Sequence, residues 1–182
     1  MNTKTNNPKF VLASTSLSRK KILKNAGIIF LSTKPLCDEN KVKLKHQKKT
    51  PLEISKILAF EKAKSVSNNF KNKYVVGCDT VISMEKKLIE KVERLSLARK
   101  KIKRLSGKRH TIYSSVCVFK NNSKVWSDYD KTDVYMRKLS DRNIKKYLKE
   151  AGNQILTSVG CYQIEKLGPS IIYKINGDFF NV

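Results

Sequence analysis

The stretch FVLASTSLSRKKILKNAG, residues 10–27, decides the class of the fold. FVLAS reads as a short buried strand, and Ile22, Leu23 and Ala26 followed by Gly27 read as a helix closed by a glycine cap. A strand that passes through a short loop into a helix is the opening of an α/β unit. The loop, STSLSR, sets Ser14, Ser16, Ser18 and Arg19 at a helix N-terminus, where free N–H groups and the helix dipole favour an anion. Serines there serve equally as ordinary N-caps, so both roles stay open.

Further along, Thr50-Pro51-Leu52-Glu53 is a capping box with proline at the first helical position. Leu52, Ile54, Ile57, Leu58, Ala63 and Val66 form an apolar stripe behind it, which predicts a helix over 51–67. Residues 41–49 hold five lysines and little to bury, and read as a loop. YVVGCDTVISM reads as two short β runs broken at Gly77, Cys78 and Asp79, followed by a turn at Lys86-Lys87. Leu95, Ala98, Ile102 and Leu105 mark a helix stopped by Gly107. Its remaining face, with Arg94, Arg99, Lys100, Lys101, Lys103 and Arg104, reads as solvated. Strands follow at 111–119, 124–127 and 132–136, with an Asn121-Asn122 turn after the first. A helix runs from Ser140 to Gly152, and a last hairpin passes through CYQI and IIYKI. The expected fold is α/β, a single domain over 1–182 with a mixed sheet and no linker rich in Pro, Gly or Ser.

A chain of 182 residues, 40% apolar, is long enough for one such core. No run approaches the roughly 18 to 20 apolar residues of a membrane span, and MNTKTNNPKF lacks a signal-peptide core, so the expected location is the cytoplasm. Cys37, Cys78, Cys117 and Cys161 form no CxxC pair and read as small buried thiols rather than a disulfide framework or zinc site. Thirty-nine Lys and Arg against fifteen Asp and Glu give a net charge of +24. Such a charge attracts nucleic acids and phosphorylated small molecules alike, and a Lys-rich composition spread along the chain also accounts for it. What the bias leaves informative is where carboxylates survive: none precedes Asp38, and Asp38-Glu39 and Asp79 stand in basic surroundings.

No phosphate-loop, GxGxxG, HExxH or GxSxG pattern is present. His46 and His110 are far apart and read as structural or solvated. What remains is Glu39 and Asp79 among Arg19, Lys62 and Lys91. Cleavage of a phosphoanhydride needs that combination: carboxylates to hold a divalent cation and take a proton from water, and cations to offset phosphate charge.

These segments resemble the Maf family of nucleotide pyrophosphatases, the septum-formation-inhibitor-like proteins. LASTSLSRKKILKNAGIIF resembles the family's SxSxxR opening, CDEN its acidic pair, LAFEKAKSV its lysine-bearing helix, and VVGCDTVI its GADTVV signature. IEKV stands at its GKP, and LSGKRHTIYSSVCV at LSGxxHxVxTxV. MRKLSDRNIKKYL, SVGCYQIEKLG and INGDFFNV follow in family order. The resemblance implies a twisted mixed sheet flanked by helices, two lobes around a cleft as in ITPase-like folds, and a homodimer. It also implies hydrolysis of a nucleoside triphosphate to monophosphate and pyrophosphate with Mg²⁺ or Mn²⁺. By position, Asp79 stands for the catalytic base near the metal and Glu39 for the acidic metal-site residue. Ser14, Ser16, Arg19, Lys62 and Lys91 match phosphate-contacting positions, and Thr80 a position tied to base choice.

The chain departs from the pattern where SPRR reads SLSRK, GKP reads EKV, and DKAGAYGIQG reads LTSVGCYQIEK. The last change puts Ser158 and Glu165 where the pyrimidine-specific pattern has lysine and glutamine. Glu165 is therefore a candidate substrate contact, and the base preference is open. The family's usual GLPL continuation after NV is also missing. A reading of another class makes the +24 charge the working feature, in a nucleic-acid-binding or regulatory protein with a relic site. The first reading expects only non-specific contact with nucleic acid and none with membrane.

Overall fold

The computed structural model describes residues 8–182. Seven strands form one mixed sheet in the order β2-β1-β3-β5-β6-β7, with β4 paired to β3 off this path. β1 (Phe10–Ala13) lies parallel to β2 (Phe30–Thr33) and to β3 (Tyr74–Met84). β4 (Lys87–Ile89) runs antiparallel to β3, and β7 (Ile172–Asn176) antiparallel to β6 (Ser123–Met136). β5 spans Arg109–Lys120. The helices are α1 (Leu17–Asn25), α2 (Glu39–Lys45), α3 (Pro51–Ser67), α4 (Leu95–Leu105), α5 (Asp141–Ala151) and the single turn α6 (Gly168–Ile171).

Local chemistry sets most of these boundaries. Gly27, at φ +71°, follows α1 as the left-handed residue of a Schellman closure: its N–H bonds Lys24 C=O and the Ile28 N–H bonds Leu23 C=O. The capping box of α3 is complete, with Glu53 N–H on Thr50 Oγ1 at 3.3 Å and Thr50 N–H on Glu53 Oε2 at 2.8 Å. Asn121 and Asn122 both take positive φ between β5 and β6, the geometry of a two-residue turn that matches strand twist.

The structure differs from the sequence reading at several elements. Residues 41–45, read as loop, belong to α2, where Asp38 accepts from the N–H groups of Asn40 and Lys41. That helix buries no side chain, so it leaves no apolar period to read. YVVGCDTVISM is one unbroken strand, and the turn after it sits at Glu85-Lys86, one residue earlier than expected. β2 is an element the sequence reading lacks; its side chains are all exposed or intermediate, as on a lightly covered edge. The two runs at 124–127 and 132–136 are one strand, β6, whose first nine residues are exposed and so show no alternation. CYQI is not a strand: Cys161 sits at φ +57°, a left-handed conformation no strand residue adopts, and β7 pairs with β6 instead.

By contact the chain forms two compact units, one of residues up to Asp79 with Ser115–Tyr129, the other of Thr80–Ser114 with Asp130–Val182. Each has a core of its own. In the first, Val11, Ala13, Ala59, Ala63, Val66, Val75, Cys117 and Phe119 pack together. In the second, Ile82, Met84, Ile102, Leu105, Ile112, Met136, Ile144 and Tyr162 anchor a larger cluster. All four cysteines are free thiols, but only Cys117 and Cys161 are buried as the sequence suggests; Cys37 and Cys78 are partly exposed. Among the described residues no helix is long and apolar enough to cross a membrane.

His110 lies within the second unit, 1% exposed, with Nε2 at 2.6 Å from the Tyr162 hydroxyl. Its Nδ1 has no hydrogen-bond partner among the described residues, so no acceptor there favours a second proton on the ring. Burial holds its pKa down at about 4, only partly opposed by Asp133. A base depressed on folding binds its proton more readily in the unfolded chain. Its stabilisation is therefore complete above the ordinary value of 6.5 and is lost as pH falls towards 4, a change of about 3 kcal/mol at full extent. Denaturant unfolding between pH 7 and pH 4 should show that slope in the wild type and a flatter one in His110→Gln; equal slopes would refute the assignment.

Candidate active site

In a sheet of this class the carboxyl ends of parallel strands face the ligand side. β1 and β3 run parallel with Ala13 opposite Gly77, so Ser14 and Asp79 both follow just beyond that pair. Along β3, Val75, Gly77 and Asp79 alternate as buried residues on one face. That face meets α3. A Cβ at Gly77 would overlap the Ala59 carbonyl oxygen and crowd the Ala63 amide, so only glycine permits this approach.

α3 buries pairs one turn apart: Ile54 and Ser55, Leu58 and Ala59, Lys62 and Ala63, Val66 and Ser67. Lys62 thus occupies a place where the pattern calls for an apolar residue, and its ammonium reaches the strand. Nζ donates to Asp79 Oδ1 at 2.6 Å and lies 2.9 Å from Glu39 Oε1. The Lys62 and Asp79 side chains are 7% and 8% exposed, whereas Glu39 is 48% exposed. Burial pushes the Asp79 carboxyl above the usual carboxylate range, against the opposing pull of Lys62 and then Arg19. The short contact places the ammonium directly on the carboxylate, so each group offsets the desolvation of the other.

Beside it, Ser14 is buried, and its Oγ accepts from Ser16 N–H at 3.2 Å and from Arg19 Nη1 at 3.3 Å. Ser16 caps α1 by accepting from Arg19 N–H. Ser16 thus serves as the N-cap, and Ser14 accepts from Arg19. Ser18 falls inside the helix, exposed.

The first unit therefore brings together Ser14, Ser16, Arg19, Glu39, Lys62 and Asp79. Thr80, Lys91 and Glu165 belong to the second. Thr80 follows Asp79 on β3, and its hydroxyl bonds Ser114 Oγ at 2.9 Å. Lys91 is exposed in the segment between β4 and α4, and Glu165 is exposed in the turns before α6.

Among the described residues no three His, Cys, Asp or Glu side chains gather as a metal-binding group. Glu39 and Asp79 still fit a hard divalent ion, because both direct oxygens at one position of positive charge. Magnesium commonly takes only one or two carboxylates, filling its shell with water and phosphate oxygens. Sequence reading missed one charged residue of consequence. Lys101, assigned to the solvated face of α4, is 9% exposed; it stands immediately before Ile102 on the flank of the apolar stripe, which was the available signal.

With this geometry in place, comparison identifies the class. The chain matches the family described as Maf-like protein over residues 9–182 and belongs to that family. It is 40% identical to the 7-methyl-GTP pyrophosphatase of Bartonella quintana, over 94% of this chain and 87% of the relative. It is 38% identical to the nucleoside triphosphate pyrophosphatase of Pelagibacter ubique over 92% and 87%, and 34% identical to that of Bradyrhizobium diazoefficiens over 94% and 85%.

Removing one partner of a buried ion pair strands the other charge and costs about 3–5 kcal/mol, whereas replacing both with apolar groups is often neutral. Lys62→Met should lose stability on that scale in denaturant unfolding, and Lys62→Met with Asp79→Leu should recover much of it. A double variant no more stable than the single would show that the pair is not energetically coupled.

Proposed function

We propose that this protein is a nucleoside triphosphate pyrophosphatase, a hydrolase that releases nucleoside monophosphate and pyrophosphate. The observation that carries the reading is the desolvated Lys62 ammonium held between Asp79 and Glu39, in a family whose relatives bear that activity's name. In the reaction the water oxygen bonds the α phosphorus as the bond to the α–β bridging oxygen breaks, and pyrophosphate leaves with that oxygen. Asp79 takes the proton from the attacking water, and Lys62, bonded to the same carboxylate, fixes its direction. Ser14, Ser16 and Arg19 bind phosphate oxygens at the start of α1, and Lys91 offsets charge on the departing pyrophosphate. Glu39 and Asp79 are the residues that would hold Mg²⁺ or Mn²⁺. When bound, the ion supplies charge neutralisation on the phosphate oxygens.

Thr80 and Glu165 are the proposed contacts for base choice. 7-Methyl-GTP is the first candidate substrate, since relatives at 40% and 38% identity carry that name. Free thiols accord with work in the reducing cytoplasm. Product analysis with Mg²⁺ or Mn²⁺ and a panel of common, deoxy and methylated triphosphates tests the reaction. Monophosphate and pyrophosphate are expected, with kcat lowered about 10²–10⁴-fold in folded Asp79→Asn. Full activity in that variant would remove the assigned role. No turnover across the panel by the folded wild type would favour the nucleic-acid reading, in which affinity falls steeply with salt.

We also propose a homodimer. Residues 121–131 are all exposed, with Val125, Trp126 and Tyr129 among them, and β7 covers β6 only from Asp133 to Met136. Antiparallel pairing of two β6 strands about Ser127 would set Lys124 opposite Asp130 twice and Val125 opposite Tyr129. Sedimentation should give a dimer for the wild type and a monomer for Trp126→Lys; a monomeric wild type at micromolar concentration would end the proposal.

A further inference from the structure

Lys101 is buried in the second unit, and among the described residues its ammonium makes no ion pair within 4 Å. Nζ donates instead to two backbone carbonyls, Glu90 C=O and Val159 C=O, the latter at 2.7 Å. These belong to two irregular segments 69 residues apart in sequence by their numbering. The first carbonyl lies in the peptide unit that joins Glu90 to Lys91, so the bond fixes where the Lys91 backbone departs from β4. The second lies in the peptide unit between Val159 and Gly160, at the head of the stretch that ends in Glu165.

That second segment needs holding. Cys161 takes φ +57°, a conformation costly for a side chain with a Cβ, and persists only where its surroundings determine it. Three side chains do so from three elements. Lys101 of α4 holds Val159 C=O, Tyr147 of α5 donates to Cys161 C=O at 3.1 Å, and His110 of β5 meets the Tyr162 hydroxyl. Only Lys101 also reaches the other segment. An apolar residue at 101 would fill the space but leave both carbonyls without this donor.

We propose that Lys101 is a positioning residue that ties the segment carrying Lys91 to the segment leading to Glu165, holding the two in one arrangement for substrate binding. The binding part rests on the pyrophosphatase reading above; the clamp itself does not. A solvated lysine would do none of this, and its neighbour Lys100, exposed on the same helix, supplies the control.

Hydrogen exchange on the wild type, Lys101→Met and Lys100→Met tests the clamp without reference to activity. Faster exchange in Lys101→Met at 90–94 and 158–162 together, with α3 unchanged, is expected; unchanged exchange in either segment would overturn the proposal. Kinetics on the best triphosphate then tests the consequence. KM should rise about 10-fold or more with kcat within about twofold, since looser segments weaken binding in ground and transition states alike. A fall in kcat with KM unchanged would mark a merely structural role and refute it. If Lys101→Met does not fold, Lys101→Gln is read by the same two criteria. A wild type inactive on every triphosphate would remove the pyrophosphatase reading, while the exchange result would still decide the clamp.

Discussion

A lysine and an aspartate that share almost no water govern the first unit. Desolvating either charge alone is expensive, and the pair is tolerable only if each remains within bonding distance of the other. That requirement reaches outward. α3 must lie against β3 closely enough for Lys62 to span the gap, which requires the bare backbone of Gly77 where the two meet. β1, paired along β3, then sets Ser14 and the start of α1 at the same end. Glu39, half-exposed, completes the charge balance from α2. The site is thus a consequence of one close contact between a helix and a strand.

Of the basic residues in this chain, only Lys62 and Lys101 are buried among the described lysines and arginines. They solve the same problem with different partners. Lys62 faces carboxylates, whose charge can serve chemistry. Lys101 faces carbonyl dipoles, which accept hydrogen bonds but cannot take up a proton, and so suits fastening rather than catalysis. The remaining positive charge lies on more exposed side chains, where counter-ions screen it. A net charge of +24 therefore says little about the reaction.

What the sequence disclosed follows the strength of local signals. The α3 capping box, the glycine closing α1 and the stripe of α4 were legible because caps and apolar periods are written within a few residues. The chemistry-bearing residues were legible through the resemblance, since carboxylates in a basic chain point only to a class of reaction. α2 escaped because a short helix with no buried side chain has no period. β3 read as broken because Gly77 and Asp79 are poor strand formers by propensity; the close approach of α3 and the reach of Lys62 favour them there. Lys101 escaped because burial of a charge depends on carbonyls that lie 11 and 58 residues away.

The chain leaves the first unit at Asp79, returns at Ser115 and leaves again at Asp130, and all three passages fall inside strands β3, β5 and β6. Neither unit is a contiguous piece of sequence, so no single cut of the gene yields either one whole. Domains that recombine in evolution are usually joined through exposed linkers, where an insertion or a break is tolerated. Here a break at any passage would sever a strand, and at the first it would part Asp79 from Thr80. The two units are consequently bound to a shared inheritance: they can diverge in side chains, but they cannot be shuffled apart.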